Sequence, residues 1–226
     1  MSAKERKRAN NRKIRQYNRA TGKTNSRERT PLQKTIYCLI TLVVTGVILF
    51  GIVTFFTPSS INEKMDQLKK MDYPQGYSEF VTKYSKEYNV DENLVYAVIR
   101  TESHFENDSQ SGAGAMGLMQ ITPDCFDFLK QNIPNDHTDY NTNSLYDPEI
   151  NIKFGTYFLS YLLDRYDNIE KTSLAAYNAG FGIVDVWLSD PNCSKDGKNL
   201  DVILYPETAN YVVKVEDAKN MYKELY

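Results

Sequence analysis

Asp91-Glu92-Asn93-Leu94-Val95-Tyr96-Ala97-Val98-Ile99-Arg100-Thr101-Glu102-Ser103-His104-Phe105 is the stretch on which the fold of this chain turns. Asp91 has the short acceptor side chain of a helix N-cap, and Leu94, Val95, Val98 and Ile99 follow at the spacing of a helix face. The stretch predicts a helix and delivers Glu102 to its end, three residues after Ile99. A carboxyl held there would be partly desolvated, which disfavours the charged form and raises the pKa. A carboxylic acid still protonated near neutral pH can protonate a leaving oxygen. Local sequence leaves a second reading open, a solvated Glu102 paired with Arg100 or Lys130.

Working outward, the same periodicity predicts a mainly α domain. Gly76 to Tyr88 places Phe80, Val81 and Tyr84 on one face. Thr122-Pro123 and Asp147-Pro148 are cap-plus-proline starts, the second opening a helix with Ile150, Phe154, Tyr157, Phe158, Tyr161 and Leu162. Thr172 to Asn178 predicts a short helix ended by Gly180 and Gly182, and Pro206 starts the last one. Val202 to Tyr205 is too short to change the class. Glycine-rich connections between short helices predict an irregular α fold with a groove.

Two further stretches could carry chemistry. In Ser111-Gly-Ala-Gly-Ala-Met-Gly117-Leu118-Met119-Gln120-Ile121, small residues permit close backbone approach, and Gln120 is the lone amide in an apolar run. A buried amide needs partners, which a polyhydroxyl ligand or the protein itself could supply. In Ala175-Ala176-Tyr177-Asn178-Ala179-Gly180, a phenol and an amide meet at a helix end. They suit a sugar, or a core tyrosine with a capping asparagine.

The N-terminal quarter is different. Residues 1–34 carry 12 Lys/Arg against Glu5 and Glu28, leaving −12 for the remainder of a chain whose net charge is −2. Such asymmetry marks two compartments or two partners. Between them Thr35 to Thr57 has 23 uncharged residues, 14 of them Ile, Leu, Val or Phe. As a helix it would extend roughly 34 Å, enough for a ~30 Å hydrocarbon core. The run is longer than a signal-peptide core, and no A-x-A pattern follows it. We expect 1–34 to be a disordered cytoplasmic tail, 35–57 a single transmembrane helix, 58–73 a linker that is helical in part, and 74–226 the globular domain outside the cell. The basic tail is read as a topology signal and contact for anionic lipid, with no nucleic-acid partner expected.

Cys38 lies in the span, and Cys125 and Cys193 fall where a disulfide is permitted but not required. With only His104 and His137 available, no metal site and no cofactor are expected.

Taken together, Glu102-Ser103, Gly117-Leu118-Met119-Gln120 and Ala176-Tyr177-Asn178-Ala179-Gly180 closely resemble the lytic transglycosylase family of the lysozyme superfamily. Asp147-Pro148 to Gly155 and Glu207-Thr208 with Tyr211-Val212 extend the match in the family order over about 150 residues. The resemblance implies a lysozyme-like helical domain whose groove holds peptidoglycan glycan strands. It makes Glu102 the sole acid/base: it protonates the oxygen between N-acetylmuramic acid and N-acetylglucosamine, then takes a proton from the muramic C6 hydroxyl. The products would carry 1,6-anhydro ends, and the substrate's own nucleophile removes the need for a second carboxylate. The resemblance assigns Ser111, Gln120, Tyr177, Asn178, Tyr211 and Glu207 to substrate binding and Ser103 to support of Glu102. Glu106 and Asp108 sit in a polar loop and are not taken as a catalytic partner. A proline frequent after the family's Glu-Ser-x-Phe is absent around Glu106-Asn107. A hydrolytic muramidase of goose-lysozyme type shares the fold and glutamate, and a non-catalytic glycan-binding wall protein would share the groove. A tethered cleaver would suit a wall-remodelling or secretion machinery.

Overall fold

A computed structural model describes residues 2–22, 30–55, 58–134 and 139–226, so His137 and the last residues of the expected span, Phe56 and Thr57, lie outside it. The chain divides into two compact units, Met1–Asn62 and Glu63–Tyr226.

In the first unit, α1 covers Ala3–Thr21 and α2 covers Pro31–Phe55. Within the tail expected to be disordered, the described residues Ala3–Thr21 are helical. Ser2 and Glu5 form a reciprocal capping box, and Gly22 closes the helix in the left-handed region at φ 62°. The charge of this segment hid those local signals. The apolar helix also starts earlier than Thr35. Thr30 Oγ1 accepts from the Gln33 N–H while Gln33 Oε1 accepts from the Thr30 N–H, a second capping box ahead of Pro31. Pro31–Val53 is long and apolar enough to cross a membrane. The linker is helical nearly throughout, as α3 (Pro58–Asp72).

In the second unit, α4 (Ser78–Tyr88), α5 (Glu92–Ser103), α6 (Pro123–Asn132), a 3₁₀ turn (Thr142–Tyr146), α7 (Pro148–Arg165), α8 (Glu170–Ala179), α9 (Phe181–Ser189) and α10 (Pro206–Leu225) follow. Among the described residues there is no strand, only isolated bridges from Met116 to Gln110 and Ile121. Asp91, Thr122 and Asp147 cap their helices as the sequence predicts. α5 is central: Leu94 through Ile99 are all buried, and it packs along α10. A helix buried on every side belongs in the middle of a domain. α7 runs against α4 and α8, and α8 against α9 and α10.

The sequence reading missed α9. Gly180, at φ 89°, does end α8, but the chain turns straight into a new helix that tolerates Gly182 because Val184 and Trp187 are buried. The cysteines are free thiols, with Cys193 buried and Cys125 half-buried.

Candidate active site

The site is assembled around the C-terminal end of α5. His104 and Phe105 take left-handed conformations (φ 53° and 68°), so the helix stops directly after Glu102-Ser103. Ser103 Oγ, buried, donates to Leu118 O at 2.8 Å and ties the end of α5 to the glycine-rich segment fifteen residues on. Neither proposed pairing partner takes Glu102. Arg100 Nε donates to Asp72 O and its guanidinium lies over Tyr73, while Lys130 pairs with Asp127 at 2.9 Å.

The segment Met116–Gln120 is held from one side by α7. Asn151 Oδ1 accepts from the Met119 N–H at 2.8 Å, and its Nδ2 donates to Met116 O (2.9 Å) and Leu145 O (2.8 Å). The fully buried amide thereby satisfies three backbone groups. Gly117 (φ 74°) passes so close that a Cβ there would overlap Asn151 Nδ2 and Leu145 O. One turn along α7, Gly155 leaves the space that the Met119 side chain fills. Sequence reading did not find Asn151. Its signal was a lone amide one helical turn before a glycine on an otherwise apolar face.

Glu102 is half-buried, and burial pushes its carboxyl up to about 7, with the Tyr211 hydroxyl pulling in the opposite direction. Tyr177 and Tyr211 are both pushed well above the ordinary phenol value, first by burial and then by the Glu102 charge. The Glu102 charge thus reaches both phenols, and the Tyr211 hydroxyl acts back on the carboxyl. Tyr177 Oη is occupied, donating to Met119 O at 2.8 Å. Tyr211 Oη is buried and makes no well-formed hydrogen bond, although it lies near enough to lower the Glu102 pKa. Glu106 and Asp108 are exposed.

A cleft of about 470 Å³ is lined by Gln120, Tyr177 and Asn178 together with Cys125, Phe128 and Phe181. Burial pushes the Cys125 thiol up to about 12. A neighbouring recess of about 420 Å³ shares Asn178 and Ala179 and brings in Glu207 and Thr208 from the start of α10. Glu102 is not a wall of either hollow; Tyr177 connects it to the first. Ser111 stands apart from both. It is exposed, and its hydroxyl accepts from the Ala115 N–H at 3.0 Å within its own turn. Tyr177 and Tyr211 thus lie within electrostatic reach of Glu102. The structure aligns Gln120, Tyr177, Asn178 and Glu207 along the hollows and leaves Ser111 outside them. Among the described residues no group of three or more His, Cys, Asp or Glu side chains could hold a metal ion.

A carboxyl that burial raises to about 7, and that stands behind the cleft-lining Tyr177, is equipped for general acid catalysis. Comparison with known proteins points the same way. The chain is similar to the soluble lytic murein transglycosylase of Salmonella typhimurium, 33% identical over 147 residues that make up 63% of this chain and 22% of the relative. It is similar to the membrane-bound lytic murein transglycosylase C of Actinobacillus succinogenes, 29% identical over 66% of this chain and 47% of the relative. The chain therefore spans less than half the length of either relative. Among solved structures, it resembles an inactive glutamate-to-glutamine mutant of lytic transglycosylase Slt from Pseudomonas aeruginosa, with TM-score 0.59, 25% identity and coverage of 69% of this chain and 25% of that one. The family model described as "Transglycosylase SLT domain" matches residues 79–200, from α4 into the loop after α9, and the chain belongs to that family.

Proposed function

We propose that this protein is a membrane-anchored peptidoglycan lytic transglycosylase in which Glu102 serves as both acid and base. The observation that carries the reading is the Glu102 carboxyl itself, half-buried at the end of α5, raised to about 7 by burial and paired with no cation among the described residues. Near neutral pH it can give its proton to the glycosidic oxygen between N-acetylmuramic acid and N-acetylglucosamine. The carboxylate left behind then accepts the proton of the muramic C6 hydroxyl as that oxygen closes on C1. The bond from C1 to the leaving oxygen breaks, a 1,6-anhydro ring forms, and Glu102 recovers its proton. Tyr211 supports the carboxylate stage, because a phenol facing the oxygen favours the charged form. The hollows lined by Gln120, Tyr177, Asn178 and Glu207 would hold the flanking sugars. Ser111 has a weaker claim to substrate contact, its hydroxyl being engaged by Ala115.

The anchor would be α2, with the basic α1 on the cytoplasmic side and the catalytic domain beyond the membrane. Membrane-bound relatives and the apolar helix support this arrangement.

The test is digestion of purified sacculi by the wild type and Glu102→Gln, with products resolved by mass spectrometry. The wild type should release muropeptides ending in 1,6-anhydro rings. The variant should lose about 10²- to 10⁴-fold in turnover, the usual worth of a positioned general acid. Ends heavier by one water would transfer the protein to the hydrolytic muramidases, and near wild-type release by the variant would remove Glu102 from its role.

A further inference from the structure

Ile61, Met65 and Leu68 repeat at four and three residues along α3, the spacing of one helix face, and Met71 follows three residues later. All four are exposed, from 43% at Ile61 to 77% at Met71. Lys64, three residues after Ile61 and four before Leu68, stands at the edge of this row. Glu63 and Asp66 each lie two positions from a member of the row, which puts them on the opposite side of the helix. The domain that follows holds a different side of α3. Lys69 Nζ pairs with Glu224 at 2.8 Å, Lys70 Nζ lies 5.1 Å over the Tyr226 ring, and Asp72 O accepts from Arg100 Nε at 2.9 Å. These contacts tie the end of α3 to α5 and α10 and leave the apolar row facing outward.

We propose that this face of α3 docks on phospholipid, lying in the headgroup layer of the outer leaflet with Ile61, Met65, Leu68 and Met71 at the acyl boundary. The proposal rests on the anchor reading above. α3 begins three residues after Phe55, the last residue of α2, so a spanning α2 delivers it to the membrane surface. An interfacial helix sinks its apolar side roughly 5–10 Å into the headgroup boundary, with lysines at the edge reaching lipid phosphates and acids turned to water. α3 has each of those parts. A second copy of the chain fits the row less well. Two anchored copies run parallel. Pairing through Met65 at position a, with Ile61 and Leu68 at d, would set Lys64 of one helix at g against Lys69 of the other at e. Like charges oppose that pairing, whereas lipid phosphate attracts Lys64. Because α3 is also tied to α5 and α10, docking it holds the domain down at the membrane surface and confines its reach to glycan close by.

The test is tryptophan quenching on the full chain reconstituted in vesicles of phosphatidylcholine and phosphatidylglycerol. Trp187, the one native tryptophan and 4% exposed, sets the background. Leu68→Trp reports the apolar row, and Asp66→Trp reports the opposite side of the same helix. Both positions are exposed, so neither change disturbs the core. Lipid brominated near the headgroup should remove most of the emission that Leu68→Trp adds, and acrylamide in the water should remove little of it. Asp66→Trp should respond in the reverse way, which separates docking by this face from an added indole dragging the helix down. Emission from Leu68→Trp open to acrylamide would reveal a bare face and overturn the proposal. Emission shielded from both quenchers would reveal a protein partner, a second copy included, and overturn it as well. So would equal quenching of the two variants by brominated lipid. Val47→Trp, in the middle of α2, keeps this outcome apart from the anchor reading. If lipid brominated near the chain ends fails to quench it, the anchor reading falls and this proposal with it. If that quenching occurs and the Leu68→Trp emission stays open to acrylamide, the α3 proposal falls alone.

Discussion

The two ends of α5 each hold a carboxyl, and the protein treats them in opposite ways. At the N-terminal end burial works to raise Asp91, but the Asn93 backbone N–H, Lys219 and Lys223 outweigh it and hold the carboxyl below its ordinary value. Asp91 is the helix cap, accepting from Asn93 N at 3.0 Å, with Lys219 at 3.5 Å and Lys223 at 3.8 Å. At the C-terminal end burial wins, and Glu102 rises to about 7 with only a phenol to oppose it. The helix dipole favours a negative charge at the first end and disfavours it at the second. One helix therefore carries a carboxylate that stabilises the fold and an acid that is stored at the fold's expense. The difference is one of partners, not of residue type.

The largest expected break in that comparison comes from Asn151→Ala, which removes the support under the Glu102 end. Three buried backbone groups would lose their partner. At about 1–3 kcal/mol for each unsatisfied group, partly relieved by entering water, we expect a loss of about 3–5 kcal/mol in chemical denaturation, with Asp91 untouched.

Next in size is the pH dependence of the two acids. The Glu102 pKa is higher folded than unfolded, so its contribution is most favourable below about 4.5 and is lost as pH rises through about 7. Glu102→Gln should therefore gain on the wild type between pH 4.5 and 7 and hold that gain above. The gain should be on the order of 1–3 kcal/mol, since a pKa unit is worth about 1.4 kcal/mol and residual solvent screens part of it. Asp91 has the reverse sign. Its folded pKa is depressed, so its contribution is present above about 3.8 and disappears as pH falls through the folded value. Asp91→Ala should cost about 1 kcal/mol at pH 7 and less at pH 3. Denaturant titrations of both variants across this range should give slopes of opposite sign; parallel slopes would erase the contrast.

The smallest effect sharpens the comparison. Tyr211→Phe removes the group that pulls the Glu102 pKa down, so the carboxyl should titrate above the wild type in carbon-detected NMR. Stability should change by under about 1 kcal/mol, because the hydroxyl makes no well-formed hydrogen bond to lose.

Much of this was legible in the chain. The caps at Asp91, Thr122 and Asp147 and the apolar face of α5 are local signals, and they set the helices where the sequence placed them. The apolar run before Glu102 made it a candidate, but the local sequence left a solvated glutamate equally open, and only the order of the motifs as a set singled it out. What could not be read depends on distant partners. α9 begins after a glycine that looks like a stop, and only the burial of Val184 and Trp187 explains why it forms. Asn151 and Thr208 bond to residues about 30 positions away, and nothing in their neighbours announces a target. Ser111 was assigned by family position, while its hydroxyl is engaged by Ala115 inside an exposed turn. On the N-terminal side, the Ser2–Glu5 box was a local signal overlooked under a dense run of charge.

The Asn151 clasp has a consequence for how the groove behaves in time. The Met119 amide hydrogen is locked by a side chain from the middle of α7, and Met119 O is held by Tyr177. This wall has no local route to opening, unlike a surface loop that breathes by itself. Its amide protons should exchange with solvent as slowly as those of the central helix. The backbone next to the cleft-lining Gln120 should therefore open only when the core beneath it does.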